Sequence, residues 1–207
     1  EHAPGGDQGE KHACWTPQCA ASATGDVISC DPLCMLTALL LSAPTEAVSA
    51  RYAFLDAYDN VNKGDWYMAS TNEDATLAWG ESYVMMALAV MVERTGDVGL
   101  LSELARHIDG VLATRDDARG VSDYRGVSDA CWQNTSYQDG AYCYTVHSGM
   151  IGFPIAEAAR LVALHGLEDA IDTDNRTFGE KAAEWTAAAE EIVAAHDDQW
   201  NDEGYYI

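Results

Sequence analysis

Tyr144 and His147 lie three residues apart in the stretch CWQNTSYQDGAYCYTVHSG, residues 131–149. A phenol and an imidazole at that spacing can work as a proton-transfer pair, one group removing a proton and the other supplying one. Such chemistry develops negative charge, and Asn134, Arg115 or Arg125 could neutralise it. Glu81 suggests a different chemistry. It stands between Trp79 and Tyr83 near an expected helix start, and Asp116, Asp117 or Asp123 could serve as its partner in a pair of carboxyls with separated pKa values. The chain has 34 acidic residues, so such a pairing has little specificity. A solvated helix-end carboxylate is the plainer reading of each, as a helix-start histidine bonded to backbone is for His147. His107 and His165 read as helix-surface residues.

The same stretch is unusually aromatic. Trp132, Tyr137, Tyr142 and Tyr144 crowd a short polar loop bracketed by Cys131 and Cys143. Aromatics beside a disulfide can simply pack on it. They can also present flat apolar faces with a hydrogen-bonding edge.

Six cysteines fall in two groups, Cys14, Cys19, Cys30 and Cys34, then Cys131 and Cys143. An even count favours disulfides and an oxidising compartment. Six allow about 15 pairings. The expectation is Cys131 with Cys143 and the early four among themselves. Closing a loop of about a dozen residues is worth roughly 3 kcal/mol in the chain-entropy picture. The rival for the early group is zinc held with His12, although the spacings fit a zinc knuckle only loosely. Two oxygen-rich clusters are candidates for Ca2+: Asp116, Asp117, Asp123 and Asp129 in one loop, and Asp169, Asp172, Asp174 and Asn175 in another. Neither has EF-hand spacing. No other cofactor is expected.

The 207 residues carry a formal charge of −23, with 11 basic residues. No nucleic-acid partner is expected of such a chain, because neutralising phosphates takes a basic face. The longest apolar run, Leu33 to Ala43, is broken by Thr37 and Ser42 and is too short for a membrane span. The opening EHAPGGDQGE has no signal-peptide pattern, so a leader has been removed or never existed. Asn134-Thr135-Ser136 and Asn175-Arg176-Thr177 match the N-glycosylation signal.

The elements that would position these groups are helices. Residues 1–31 read as an irregular arm, and 32–207 as one helical domain. Asp31-Pro32 begins a short helix and Pro44-Thr45 another, ending near Asn60. Apolar periodicity predicts helices at about 74–94, 98–114, 149–165 and 177–196. Thr95-Gly96-Asp97 should close one and cap the next. A faint repeat lays 77–96 over 146–166, and each copy ends its second helix in basic-Asp-Asp, Arg115-Asp116-Asp117 and His196-Asp197-Asp198. The fold class is all-α, built from antiparallel helical hairpins.

LAWGESYVMMALAVMVERTGD followed by RDDARGVSDYRG resembles the (α/α) toroids of carbohydrate-active proteins, which include polysaccharide lyases, uronyl epimerases and six-hairpin glycosidases. The resemblance covers roughly residues 45–205. It implies that loops at one end of a ring of hairpins bind sugars, with Trp79, Trp132, Tyr137, Tyr142 and Tyr144 as platforms. It also implies that Tyr144 and His147 would abstract and return protons at a uronate, or that Glu81 and an Asp would hydrolyse a glycosidic bond. A full ring needs nearly twice this length and only about three hairpins fit here, so the expectation is either a fragment of a ring or a shorter helical array. The partner would be a polysaccharide met outside the cytoplasm, secreted, periplasmic or at the cell surface. The other reading is a non-catalytic extracellular protein that binds glycans or assembles with copies of itself.

Overall fold

A computed structural model describes residues 49–204. The chain divides between Ala43 and Pro44, and all the described residues belong to the second unit. The arm, its four cysteines, His12 and the helix expected from Pro32 lie outside them.

The described chain is helical, as its periodicity predicts. The first helix, α1, covers 49–60. After a 3-10 turn at Asn62–Gly64 come α2 (Asp65–Met68), α3 (Ser82–Thr95, entered through a π-helical turn at Leu77–Glu81), α4 (Val98–Ala113), α5 (Asp116–Arg119), α6 (Thr145–His165) and α7 (Phe178–Ala194), followed by a 3-10 turn at Asp197–Gln199. Among these residues there is no strand, only single antiparallel bridges at Asn134–Tyr142 and Ile171–Thr177. No helix is long and apolar enough to cross a membrane.

Local chemistry sets the boundaries. Gly96 closes α3 at φ 61°, and the Asp97 carboxylate accepts from the N–H groups of Gly99 and Leu100 at 2.8 and 3.2 Å to start α4. Thr177 and Glu180 form a reciprocal capping box on α7. Two starts differ from expectation. The helix expected from Asp74 begins at Thr76, because Asn72 and Ala75 adopt φ 69° and 67°, outside the helical region. Helix α6 begins at Thr145 rather than near Gly149, which puts His147 and Ser148 in its first turn.

Packing follows the two expected hairpins. Helix α3 lies on α4, α6 lies on α7, and α3 also meets α6. Leu88, Val92, Leu101, Leu104, Ile108, Ile151, Ile155, Phe178 and Trp185 make one core. In both hairpins the basic-Asp-Asp run follows the second helix and forms a short helical turn. Arg115 ties the two together. Its guanidinium forks onto Asp117 at 2.6 and 2.8 Å and reaches Glu191 on α7 at 2.8 Å.

Lys181 organises the loop between α6 and α7. Its buried ammonium meets Asp172 at 2.8 Å, Asp174 at 3.0 Å and Asp109 at 3.1 Å. A lysine therefore stands where the acidic loop suggested Ca2+. Burial works to raise the Asp172 carboxyl, but hydrogen bonds from Lys181, Ser102 and the Thr173 N–H outweigh it and hold that group below the usual carboxylate value. Removing the cation strands a buried charge, which costs about 3 kcal/mol or more. Lys181→Met is expected to lose about that much stability in urea unfolding at neutral pH. The loss should shrink as acid protonates Asp172, whose depressed folded pKa makes its contribution one that is present above about pH 4 and lost below it.

Candidate functional site

The Cys131–Cys143 disulfide forms, at a sequence separation of 12 and a Cα–Cα distance of 6.1 Å. Beside it, the Asn134–Tyr142 bridge closes the aromatic loop through two backbone hydrogen bonds of 2.9 and 3.0 Å. The loop is then pinned to the segment before α3. Asn134, fully buried, donates from Nδ2 to the carbonyls of Asn72 and Glu73 at 3.1 and 3.2 Å, and the hydroxyls of Thr135 and Ser136 both donate to Glu73 O at 3.1 Å.

This frame holds a row of rings. Trp79 donates from Nε1 to the Tyr137 hydroxyl at 3.1 Å. Tyr137 meets Tyr144 at 5.6 Å between centroids, Tyr144 meets Tyr142 at 4.9 Å, and Tyr142 meets Tyr124 at 5.8 Å. The Arg125 guanidinium lies over Tyr142 at 5.7 Å, and it also pairs with Asp123 at 2.7 Å and Asp198 at 3.0 Å. Tyr124, Tyr137 and Trp79 are 63%, 56% and 43% exposed. Tyr142 and Tyr144 are half-buried, and with Tyr124, Gln138 and Gln199 they edge a hollow of about 480 Å³.

His147 lies beneath the row, its ring 5.3 Å from Tyr144 and 5.6 Å from both Trp79 and Tyr137. It is 1% exposed, and burial lowers its pKa. Its tautomer follows from Asn72. Asn72 Oδ1 accepts from the Ala78 N–H at 3.1 Å, so Nδ2 is the atom facing Trp132 O at 3.2 Å and His147 Nδ1 at 3.3 Å. Nδ1 must accept there, which leaves the proton of the neutral ring on Nε2.

The other sequence candidates lie elsewhere. Trp132 is fully buried, and its Nε1 donates to Val111 O and Thr114 Oγ1, both at 3.2 Å, so it plugs the end of α4 rather than joining the row. Arg115 is taken up by Asp117 and Glu191 as described. Glu81 sits in the π turn and points inward to His107 Nδ1, both side chains fully buried. His107 is thus a core residue, not the surface residue its position suggested. Arg106 donates toward its Nε2 at 3.2 Å, which makes Nε2 an acceptor and Nδ1–H the donor to Glu81. The Tyr58 hydroxyl closes the cluster at 2.6 Å from the same Nε2. Burial raises the Glu81 carboxyl, against the opposing His107 bond. His107, Arg106 and Asp65 are its electrostatic neighbours, while Asp116, Asp117 and Asp123 are engaged elsewhere.

Asp116, Asp117 and Asp123 do not converge on one point. Asp117 faces Arg115, and Asp123 accepts from Arg125 and from the N–H groups of Arg125 and Val127. Asp116 is buried under the disulfide, its Oδ2 accepting from Gln133 N at 2.9 Å and lying 3.5 Å from Cys143 Sγ. Among the described residues the one set of three metal-ligand types with donor atoms within 4.8 Å of one another is Asp116, Cys131 and Cys143. Its two sulfurs are bonded to each other.

Sequence reasoning passed over Asn72 and Tyr124. Asn72 stands just before the helix expected at about 74–94, and asparagine's tolerance of positive φ was the one available signal. Tyr124 is the one aromatic of its polar loop, which was the available signal. No protein-family model, no curated protein and no solved structure matches the chain.

Burial pushes the Asp116 carboxyl up to about 6, against the Gln133 N–H and the Arg119 charge. The folded state therefore keeps a proton that the unfolded chain has released, and stability falls as pH rises from about 4 to about 6. The loss should be of order 3 kcal/mol. Asp116→Asn does not titrate. Chemical denaturation of both proteins at several pH values should show the variant gaining on the wild type across that window and holding a constant offset above it.

Proposed function

We propose that the chain is a non-catalytic glycan-binding protein that works outside the cytoplasm and holds a neutral polysaccharide on the row Trp79–Tyr137–Tyr144–Tyr142–Tyr124. The contiguous row of five rings, three of them well exposed, carries this reading. Ring faces pack against the C–H faces of sugars while the hydroxyls reach their edges. Polysaccharides are long, and a row suits a repeating ligand. The negative chain repels anionic polymers, and Arg125, the cation nearest the row, already faces two carboxylates. The disulfide fits an oxidising compartment. The hairpins are compatible with an arc of an (α/α) toroid.

Elimination at a uronate is the second reading, and the Tyr144–His147 contact favours it. Against it, His147 is sealed from solvent and its Nδ1 is occupied by Asn72, so it has no free lone pair to act as base.

Affinity electrophoresis and calorimetry against soluble β-glucan, xylan, mannan, alginate and pectate test both readings. At least one neutral polymer should bind. Tyr142→Ala and Tyr124→Ala should each weaken binding about tenfold, which is ~1.4 kcal/mol, while the helical circular dichroism stays unchanged. Absorbance from unsaturated ends on alginate or pectate, lost in Tyr144→Phe, would replace binding by elimination. Failure of every polymer to bind or react would overturn both.

A further inference from the structure

At its Trp79 end the aromatic row adjoins an open hollow of about 540 Å³. Thr76, three residues before Trp79, and Ser136, the neighbour of Tyr137, both line it. Trp66, Ser70, Asp74 and Thr135 line it as well. Trp66 on α2 is 70% exposed, yet it is braced, since its ring leans on Tyr67 at 4.9 Å between centroids. Tyr67 in turn is seated on the π turn that carries Trp79. A Cβ added to Gly80 there would stand 2.5 Å from Tyr67 Cδ1, so the bare glycine makes the seat. The result is an accessible indole held beside the row.

The hydroxyls of the hollow have already committed their protons. Thr135 and Ser136 both donate to Glu73 O at 3.1 Å, in exposed bonds. The Asp74 carboxylate accepts from the Thr76 hydroxyl, from the Thr76 N–H at 3.0 Å and from the Ser70 hydroxyl, and these bonds hold it below the usual carboxylate value. What these oxygens still present are lone pairs. This part of the wall accepts and does not donate, so it suits a ligand rich in O–H donors. Sugar hydroxyls are such donors, and their bonds to an ionised carboxylate are charge-assisted. The C–H face of the same sugar packs on an indole. A metal cation fits less well, because Glu73 already faces Arg119 at 3.3 Å and an indole supplies no ligand atom.

We infer that this hollow is a further sugar subsite, which extends the row past Trp79, with the Trp66 ring as platform and the Asp74 carboxylate as acceptor for the sugar hydroxyls. The subsite rests on glycan binding at the row. Beyond that, it requires a ligand that runs past Trp79 and carries no anionic group there, since Asp74 would repel one.

Cello-, xylo- and manno-oligosaccharides from dimer to octamer are the probes, titrated into the full chain by calorimetry. Affinity should rise with length and level off. In Trp66→Ala the plateau should come at least one unit earlier. The longest oligomer should bind about tenfold more weakly, the scale of one well-packed ring contact, and the shortest binders should be unchanged. Asp74→Asn keeps an oxygen for the Thr76 N–H but replaces an acceptor by a donor, and should weaken the same long oligomers about threefold. The Trp66 indole N–H resonance should shift only with oligomers long enough to show these losses. Oligomers that bind, and weaken in Tyr142→Ala, yet ignore Trp66→Ala at every length would overturn the subsite and leave the row standing. A loss in Trp66→Ala that is equal at all lengths would also overturn it, by marking Trp66 as a support of the row. Binding by no oligomer would overturn row and subsite together.

Discussion

The side chain of Asn72 joins three pieces of the chain that are far apart in sequence. Its amide accepts from the first turn leading into α3, donates to the stapled loop at Trp132 and donates to His147 at the start of α6. Its own carbonyl takes the Asn134 amide in return. Every one of these groups is buried, so none can fall back on water. The aromatic row exists because this node fixes where the loop and α6 meet. Without it Trp79, on one side, and Tyr137 and Tyr144, on the other, would have no common register.

The few cations act in a similar way. Arg106, Arg115, Arg119, Arg125 and Arg160 each face two carboxylates, and Lys181 faces three. Several of those pairs join segments more than 40 residues apart. On so acidic a chain a cation placed between elements relieves repulsion where the packing would otherwise concentrate it. Exposed pairs are individually weak. Lys181 differs because its ammonium is buried and anchored on a buried Asp.

The helices could be read from the sequence because their signals are local. Apolar spacing, the Gly96-Asp97 junction and the Thr177 box all act within a turn or two. The row was legible in outline, since Tyr137, Tyr142 and Tyr144 stand together beside a cysteine. The inward residues could not be read. His107 shares one face of α4 with Leu104 and Val111, yet an imidazole reads as a surface group until its partner Glu81, 26 residues away, is in place. Trp132 looked like a platform because it sits in a loop. The disulfide makes that loop rigid enough to send a tryptophan inward. Asn72 and His147 are 75 residues apart, and nothing local links them.

The burial of Asn134 bears on how this chain could be made in a cell that glycosylates proteins. Oligosaccharide transfer acts on the amide nitrogen of an extended, accessible Asn-x-Ser/Thr. Here that nitrogen ends up sealed, giving its two hydrogens to Asn72 and Glu73. A sugar attached there would remove one hydrogen and place a bulky group where the loop meets the segment before α3. Modification and native closure of the loop are therefore mutually exclusive outcomes for one nascent chain. Which prevails depends on whether Cys131 finds Cys143 before the transferase finds Asn134. The signal at Asn175 lies on an exposed turn and sets no such race.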